Sequence, residues 1–390
     1  MKSVLIILLN CFFILSAMAE LPQENIRGIW IVRHNLKTAQ GIDSLIKFAS
    51  NYQFTDLFVQ VRGRGDAFYN SHFEPLAEGV EPNFDPLGYL LIKSHNQNYR
   101  IHAWINVFYL WSSEEAPTAK DHLFHKKPEW LVYPANYNPE AADTNYVNRR
   151  NAEGLFLSPL EEDARKHIVN VVDDILSQYP VAGLHLDYIR FPGYNFEFSP
   201  AARKYFKEKY FLDPLDLKND PEQFVENFGR TGYDLFFSRW GEFLRNGLSE
   251  FVDSLATHVR QRYPRAIISA AVKPDLHKAH WRFYQDWGRW LKKGWLDWAI
   301  PMNYTKENDL FFHRIQNMLK SNDPARLLMG ISLYNQSADS ALEKITSIEK
   351  MALEQNSLGG FVLFSYDQIV KEKRLQRLYM NKILKAGVRQ

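Results

Sequence analysis

The chain has 390 residues, 46% hydrophobic and 15% aromatic, which is ample for one large core. Its 47 Lys and Arg nearly balance 45 Asp and Glu, giving a net charge of +2, and no stretch is dense in basic residues, so nucleic acid is not expected as a partner. The single cysteine, Cys11, excludes a disulfide scaffold and a cysteine-ligated metal.

Residues 1–19 have the layout of an export signal. Lys2 precedes an apolar run over residues 4–15, and Ala17-Met18-Ala19 supplies small residues at the end. Cleavage after Ala19 is expected, leaving residues 20–390 in the periplasm or secreted, with no membrane span. The alternatives are an uncleaved anchor, against which Asn10 and the small-residue end argue, and a lipid on Cys11, which sits in mid-run where no such signal would place it.

Eight short apolar runs follow: residues 28–33 (GIWIVR), 55–62 (TDLFVQVR), 100–107 (RIHAWINV), 183–191 (GLHLDYIRF), 266–273 (AIISAAVK), 297–304 (DWAIPMNY), 326–332 (RLLMGIS) and 359–366 (GGFVLFSY). Between them lie helical patterns at 3.6 spacing, such as Ile168, Val171, Val172, Ile175 and Leu176, or Phe243, Leu244, Leu248, Phe251, Val252 and Leu255. Asp85-Pro86 reads as a helix start, with aspartate at the cap and proline at the first helical position. Strand-helix alternation predicts βαβ units and a parallel sheet. Eight units predict an α/β fold made of a single (β/α)8 TIM barrel. An open doubly wound sheet is the alternative, but no Gly-rich phosphate loop follows the first run. Two connections, about 108–157 after the third strand and 192–240 after the fourth, are unusually long. Both leave strand C-terminal ends, the face on which such barrels build active sites.

Period-two alternation sorts each run into helix-facing and barrel-facing sets. It points Phe58, Gln60 and Arg62 inward on the second strand, His102, Trp104 and Asn106 on the third, and His185 and Asp187 on the fourth. Ser269 and Lys273 follow on the fifth, Asn303 on the sixth, Ser332 and Tyr334 on the seventh, and Ser365 and Asp367 on the eighth. Because the inner layers of a barrel are packed solid, polar residues are expected mainly in the top layer, at the mouth.

Asp187, in HLDYIRFP, is the leading catalytic candidate. Beside Arg190 it should stay ionised, as a nucleophile or cation stabiliser must; otherwise it merely salt-bridges Arg190 or Arg62. Glu307 is either a general acid or a helix-start glutamate. Asp367 is either a top-layer carboxylate or the cap of the last helix. Asp66, in RGRGD, either orients sugar hydroxyls or is a turn residue. Trp104, Tyr109, Tyr188, Tyr304 and Tyr334 are candidate platforms for the apolar faces of pyranose rings, with Arg62, Asn106, Arg190, Lys273 and Asn303 as polar contacts. Trp111, Trp130 and Tyr133 extend the aromatic set. The twelve histidines show no metal-ligand spacing, so neither a catalytic metal nor another cofactor is expected.

In order along the chain, RGIW at Arg27, QVRGRGDAFY at Gln60, FDPL at Phe84, HAWIN at His102, GLHLDYIRFP at Gly183, QDW at Gln285, PMNYT at Pro301 and GGFVLFSYD at Gly359 resemble the glycosyl-hydrolase-like family 10 proteins of bacterial envelopes. The resemblance implies a (β/α)8 barrel that hydrolyses glycosidic bonds, with some relatives resembling enzymes that cut peptidoglycan strands lacking stem peptides. It carries Asp187 over as catalytic and leaves the second group open among Asp66, Glu307 and Asp367. Residues 271–275 (AVKPD) depart from the pattern. The expected partner is thus a polysaccharide, cut by carboxylate acid/base chemistry. The alternatives are a glycan-binding barrel without turnover and a metal-dependent deacetylase.

Overall fold

The computed structural model describes residues 25–135, 153–193, 195–355 and 358–387. The expected export signal, residues 1–19, lies outside them, as do residues 136–152 of the first long connection. The strands are β1 (Ile26–Ile31), β2 (Asp56–Arg62), β3 (Arg100–Asn106), the short β4 (Tyr109–Trp111) and β5 (Leu155–Phe156), β6 (Gly183–Asp187), β7 (Ile267–Val272), β8 (Trp298–Pro301), β9 (Leu328–Ser332) and β10 (Gly360–Phe364). Eight pair in parallel in the order β8-β7-β6-β3-β2-β1-β10-β9, and bridges from Ala299 to Leu327 and from Met302 to Gly330 join the two ends. The ring closes as the (β/α)8 barrel that the alternation predicts. β4 and β5 pair antiparallel apart from it.

Helices α1 (Ala39–Asn51), α2 (Pro86–Lys93), α3 (Leu123–Lys126), α4 (Glu162–Gln178), α5 (Pro200–Tyr210), α6 (Asp216–Asn219), α7 (Pro221–Arg262), α8 (Leu276–Arg282), α9 (Trp287–Lys292), α10 (Asn308–Leu319), α11 (Ala338–Gln355), α12 (Tyr366–Lys371) and α13 (Lys373–Gly387) fill the connections. Asp85 caps α2 by accepting from Gly88 N–H, with Pro86 at the first turn. The connection over 192–240 contains α5, α6 and the first half of α7, which breaks at Gly229 (φ +73°).

Strand parity divides the core in two. Ile29, Ile31, Leu57, Val59, Ile101, Ile105, Leu184, Leu186, Met329 and Leu363 pack outward against the helices. Trp30, Phe58, Trp104, Ala271, Ile300, Leu328 and Val362 fill the lumen. Contrary to expectation, polar groups also run deep into it, and they are tolerated because they pair. His102 Nε2 meets Asp56 Oδ1 at 2.7 Å, Trp30 Nε1 donates to His185 Nε2 at 2.9 Å, and His185 Nδ1 meets Ser269 Oγ at 2.9 Å. Burial holds His185 well below the usual imidazole range, so it is neutral and accepts from Trp30.

Three parity readings are corrected. A bulge after Gln60 sets Arg62 opposite Ile105, so its guanidinium leaves the lumen. On the run through β8 the inward residues are Ile300, Met302 and Tyr304. Asn303 instead donates from Nδ2 to Phe311 O and accepts from Arg314, tying down α10. On β10 the inward set is Val362 and Phe364. The strand then gives way to α12, with Ser365 at its N-cap and Asp367 in its first turn.

Candidate active site

Asp187 ends β6, and its partner across the ladder is Asn106, the last residue of β3. The backbone turns at Tyr188, whose φ of +51° is left-handed, a conformation costing a non-glycine residue roughly 1–3 kcal/mol. That turn aims Tyr188 N–H back at Asp187 Oδ1, 2.7 Å away. Asp187 is 7% exposed. Burial pushes its carboxyl up to about 6, against the opposing pull of the Tyr188 hydrogen bond, Arg190 and Lys273. Neither expected salt bridge forms. Arg62, fully buried, donates from Nε and Nη2 to Glu74, which also meets His167 Nε2 at 3.1 Å. Arg62 is therefore a structural ion pair behind the β2 wall rather than a substrate contact.

Arg190 pairs with a residue that no sequence signal marked. Its Nη2 lies 2.6 Å from Glu153 Oε2, while its guanidinium stacks over Tyr188 at 4.8 Å and Phe283 at 5.0 Å. Lys273 approaches the other Glu153 oxygen at 4.0 Å. Burial acts to raise the Glu153 carboxyl, but Arg190 and Lys273 outweigh it and hold it below the ordinary glutamate range. Lys273 is brought down to about 8 by burial and by Arg190. Glu153 is delivered from the long connection by the β4–β5 pair, and its main-chain carbonyl accepts from Tyr109 OH at 2.9 Å. Tyr109 packs against Tyr188, the rings tilted by 32° with centroids 4.4 Å apart. The cleft thus joins Asp187, Tyr188, Arg190, Lys273 and Tyr109, all marked by the sequence, to the unmarked Glu153. Two carboxyls are driven in opposite directions there, the pattern that separates an acid from a base.

The β1–β3 wall is a hydrogen-bonded chain. Asn106 Oδ1 accepts from Trp104 Nε1 (3.1 Å) and Gln60 Nε2 (3.3 Å), and its Nδ2 donates to Gly63 O (2.8 Å). Trp104 is buried in the lumen and holds Asn106; it is not an open platform. Arg33, the last residue of the first predicted run but given no role there, follows β1 and donates from its backbone N and Nη1 to Gln60 Oε1. Asp66 accepts from Arg64 N–H at 2.8 Å, so the turn role is realised, and the side chain is 6% exposed. Gly65, at φ +71°, permits that turn.

On the opposite rim, Tyr304 meets Tyr334 edge-on at 6.3 Å and Phe364 at 5.5 Å, and Tyr334 is half exposed. Burial raises the Tyr304 hydroxyl well above the usual phenol range, with Asp187 and Tyr188 adding to it. Glu307 is exposed at the N-cap of α10, bonded through its own N–H to Thr305. Asp367 is claimed by the loop after β1, meeting His34 Nε2 at 2.7 Å and Asn35 Nδ2 at 3.1 Å. Neither forms a hydrogen bond or ion pair with the Asp187–Glu153 group among the described residues. No group of three His, Cys, Asp or Glu side chains in the described residues could hold a metal ion.

A closed parallel barrel with carboxylates and aromatics at its C-terminal mouth is the architecture of TIM-barrel glycoside hydrolases, and solved structures of that kind share the fold. The glycoside hydrolase domain of PgaB (BpsB) from Bordetella bronchiseptica superposes with TM-score 0.58 at 12% identity, covering 91% of this chain and 98% of that domain. Alpha-L-fucosidase isoenzyme 2 from Paenibacillus thiaminolyticus gives 0.58 at 12%, covering 87% and 46%. The sequence matches the glycosyl hydrolase-like 10 family over residues 25–345, and the chain belongs to that family. It is similar to glycosyl hydrolase YngK of Bacillus subtilis, 22% identical over 72% of this chain and 54% of YngK, so it spans about half of that relative. It is also similar to glycosyl hydrolase DigH of Escherichia coli, 23% identical over 82% of this chain and 74% of DigH.

Proposed function

We propose that the protein is an exported glycoside hydrolase that cuts glycosidic bonds of a cell-envelope polysaccharide, peptidoglycan glycan strands first among them. The observation that carries the reading is the Asp187–Glu153 pair, one carboxyl raised to about 6 and the other lowered, in one aromatic-walled cleft. Asp187, protonated in part near neutrality, donates its proton to the leaving glycosidic oxygen. Glu153, kept ionised by Arg190 and Lys273, attacks the anomeric carbon or activates the water that does. These roles reverse the expectation for Asp187, because Arg190 is spent on Glu153. Family membership and the names of YngK and DigH support the chemistry, and residues 1–19 support export.

The test is incubation of the protein lacking residues 1–19 with purified peptidoglycan, intact and with its peptides removed, followed by mass spectrometry of soluble products beside Asp187→Asn. New reducing ends from wild type alone are expected. Retained binding without products from either protein would refute turnover and leave a glycan-binding barrel.

A further inference from the structure

The QDW motif at Gln285 divides its side chains between two places. Gln285 braces the cleft from behind, accepting from Lys273 N–H at 2.9 Å and donating to Ile189 O at 3.2 Å. Trp287 is buried and donates from Nε1 to Lys273 O at 3.1 Å. Asp286, between them, lines a separate cavity of about 530 Å³ walled by α8, α9 and the turn after α10. It stands at the N-cap of α9, yet its side chain makes no cap hydrogen bond, and its ion-pair contact, His280 Nδ1, is 4.0 Å away. Trp281 lines the same cavity. Of the ten tryptophans in the chain it alone is exposed, at 45%. Its ring is nonetheless held: the Arg245 guanidinium packs over it at 4.9 Å, and His280 meets it edge-on at 4.9 Å. Arg245 is 9% exposed and its Nη1 makes no hydrogen bond, while Asp286 and Glu242 act on it as counter-charges. Its packing on the indole is therefore what it contributes at this place. His277, Lys292, Ser321 and Asn322 complete the lining with both donors and acceptors.

A fixed, solvent-facing indole ringed by hydroxyl, amide, carboxylate and ammonium groups, in a concavity of this size, suits a ligand with one apolar face and a polar edge. A pyranose ring has that form. A protein partner would need a wider apolar surface, and among the described residues no other exposed large hydrophobic lines this cavity. We propose that the Trp281 cavity is a second saccharide-binding site, distinct from the cleft, which anchors a glycan whose other sugars occupy the cleft. One sugar stacks on the indole while Asp286 and its neighbours bond the hydroxyls. This rests on the glycan reading of the cleft. The two sites share one short segment: Phe283 lies under Arg190 and Lys273 in the cleft, while Trp281, two residues earlier, faces the cavity. A polymer held at one place binds the other intramolecularly, so even a weak hold at Trp281 prolongs its stay.

The test uses the Asp187→Asn protein, whose proposed proton donor is gone, with soluble oligosaccharides cut from peptidoglycan strands, read by hydrogen exchange. Saturating oligosaccharide should slow backbone exchange over α8 and α9, residues 276–292, and at the cleft turn, residues 187–191. Adding Trp281→Ala, which removes an exposed side chain and should keep the native circular dichroism, should abolish the slowing over 276–292 and keep it at 187–191. Trp281→Phe preserves a stacking face and should restore it. In pelleting with insoluble peptidoglycan, Trp281→Ala should weaken binding about tenfold, and Trp281→Phe should return it close to the parent protein. Slowing confined to 187–191 in the parent protein, or slowing over 276–292 that survives Trp281→Ala, overturns the second site. No slowing at either place would instead refute the glycan reading beneath it.

Discussion

Asp187→Asn should remove the proposed proton donor yet make the protein more stable, and only at higher pH. The carboxyl ordinarily titrates at 3.8 and in the fold at about 6, because the buried site disfavours its ionised form. For a group raised in the fold, the linked stability is fully present below the unfolded value and is lost as pH rises through the folded one. Wild type therefore loses stability between pH 3.8 and about 6, and roughly two units correspond to about 3 kcal/mol above pH 6. Asparagine keeps an oxygen to accept from Tyr188 N–H and carries no charge. Urea unfolding of both proteins at pH 4.0, 5.0, 6.0 and 7.5 should give nearly equal stabilities at pH 4.0 and a widening advantage for the variant, reaching about 3 kcal/mol at pH 7.5. A constant difference across pH, or a variant less stable at pH 7.5, would refute the argument that burial raises Asp187.

Glu197, fully buried in the second long connection beside Ser199 and raised to about 7 by burial, follows the same sign: Glu197→Gln should stabilise by about 3 kcal/mol at pH 8 and by nothing at pH 4, read by the same unfolding series. Glu74→Gln should cost about 3–5 kcal/mol in denaturant stability, since it leaves the fully buried Arg62 charge uncompensated. Activity against glycan should peak on the acid side of neutrality, falling above about pH 6 as Asp187 loses its proton and at low pH as Glu153 gains one. Lys273→Met removes a cation that holds Glu153 ionised, so the acid limb of that profile should move to higher pH, and an unmoved limb would count against Glu153 as its origin.

The fold was legible because apolar runs and helical periodicities alternate eight times, and local alternation of that kind survives folding unchanged. Asp187 was legible for a related reason: it sits at the correct parity at a strand end, where proline soon stops the run. Parity failed where the backbone departs from an ideal strand. The bulge after Gln60 swings Arg62 behind the wall, and the early start of α12 carries Asp367 to the β1 loop. Glu153 had no periodic signature to find. It owes its place to a pairing between β4 and β5, more than forty residues apart in the chain, and to two cations from the turns that follow β7 and β6.

The division of labour between the two carboxyls is tested most directly with an aryl glycoside of an accepted oligosaccharide, whose acidic phenol leaves without needing a proton. Single-turnover release of the phenolate should be close to wild type for Asp187→Asn and should collapse for Glu153→Gln, while both variants fail on the natural glycan. Loss of phenolate release in Asp187→Asn with full activity in Glu153→Gln would contradict the assignment and return Asp187 to the role of nucleophile.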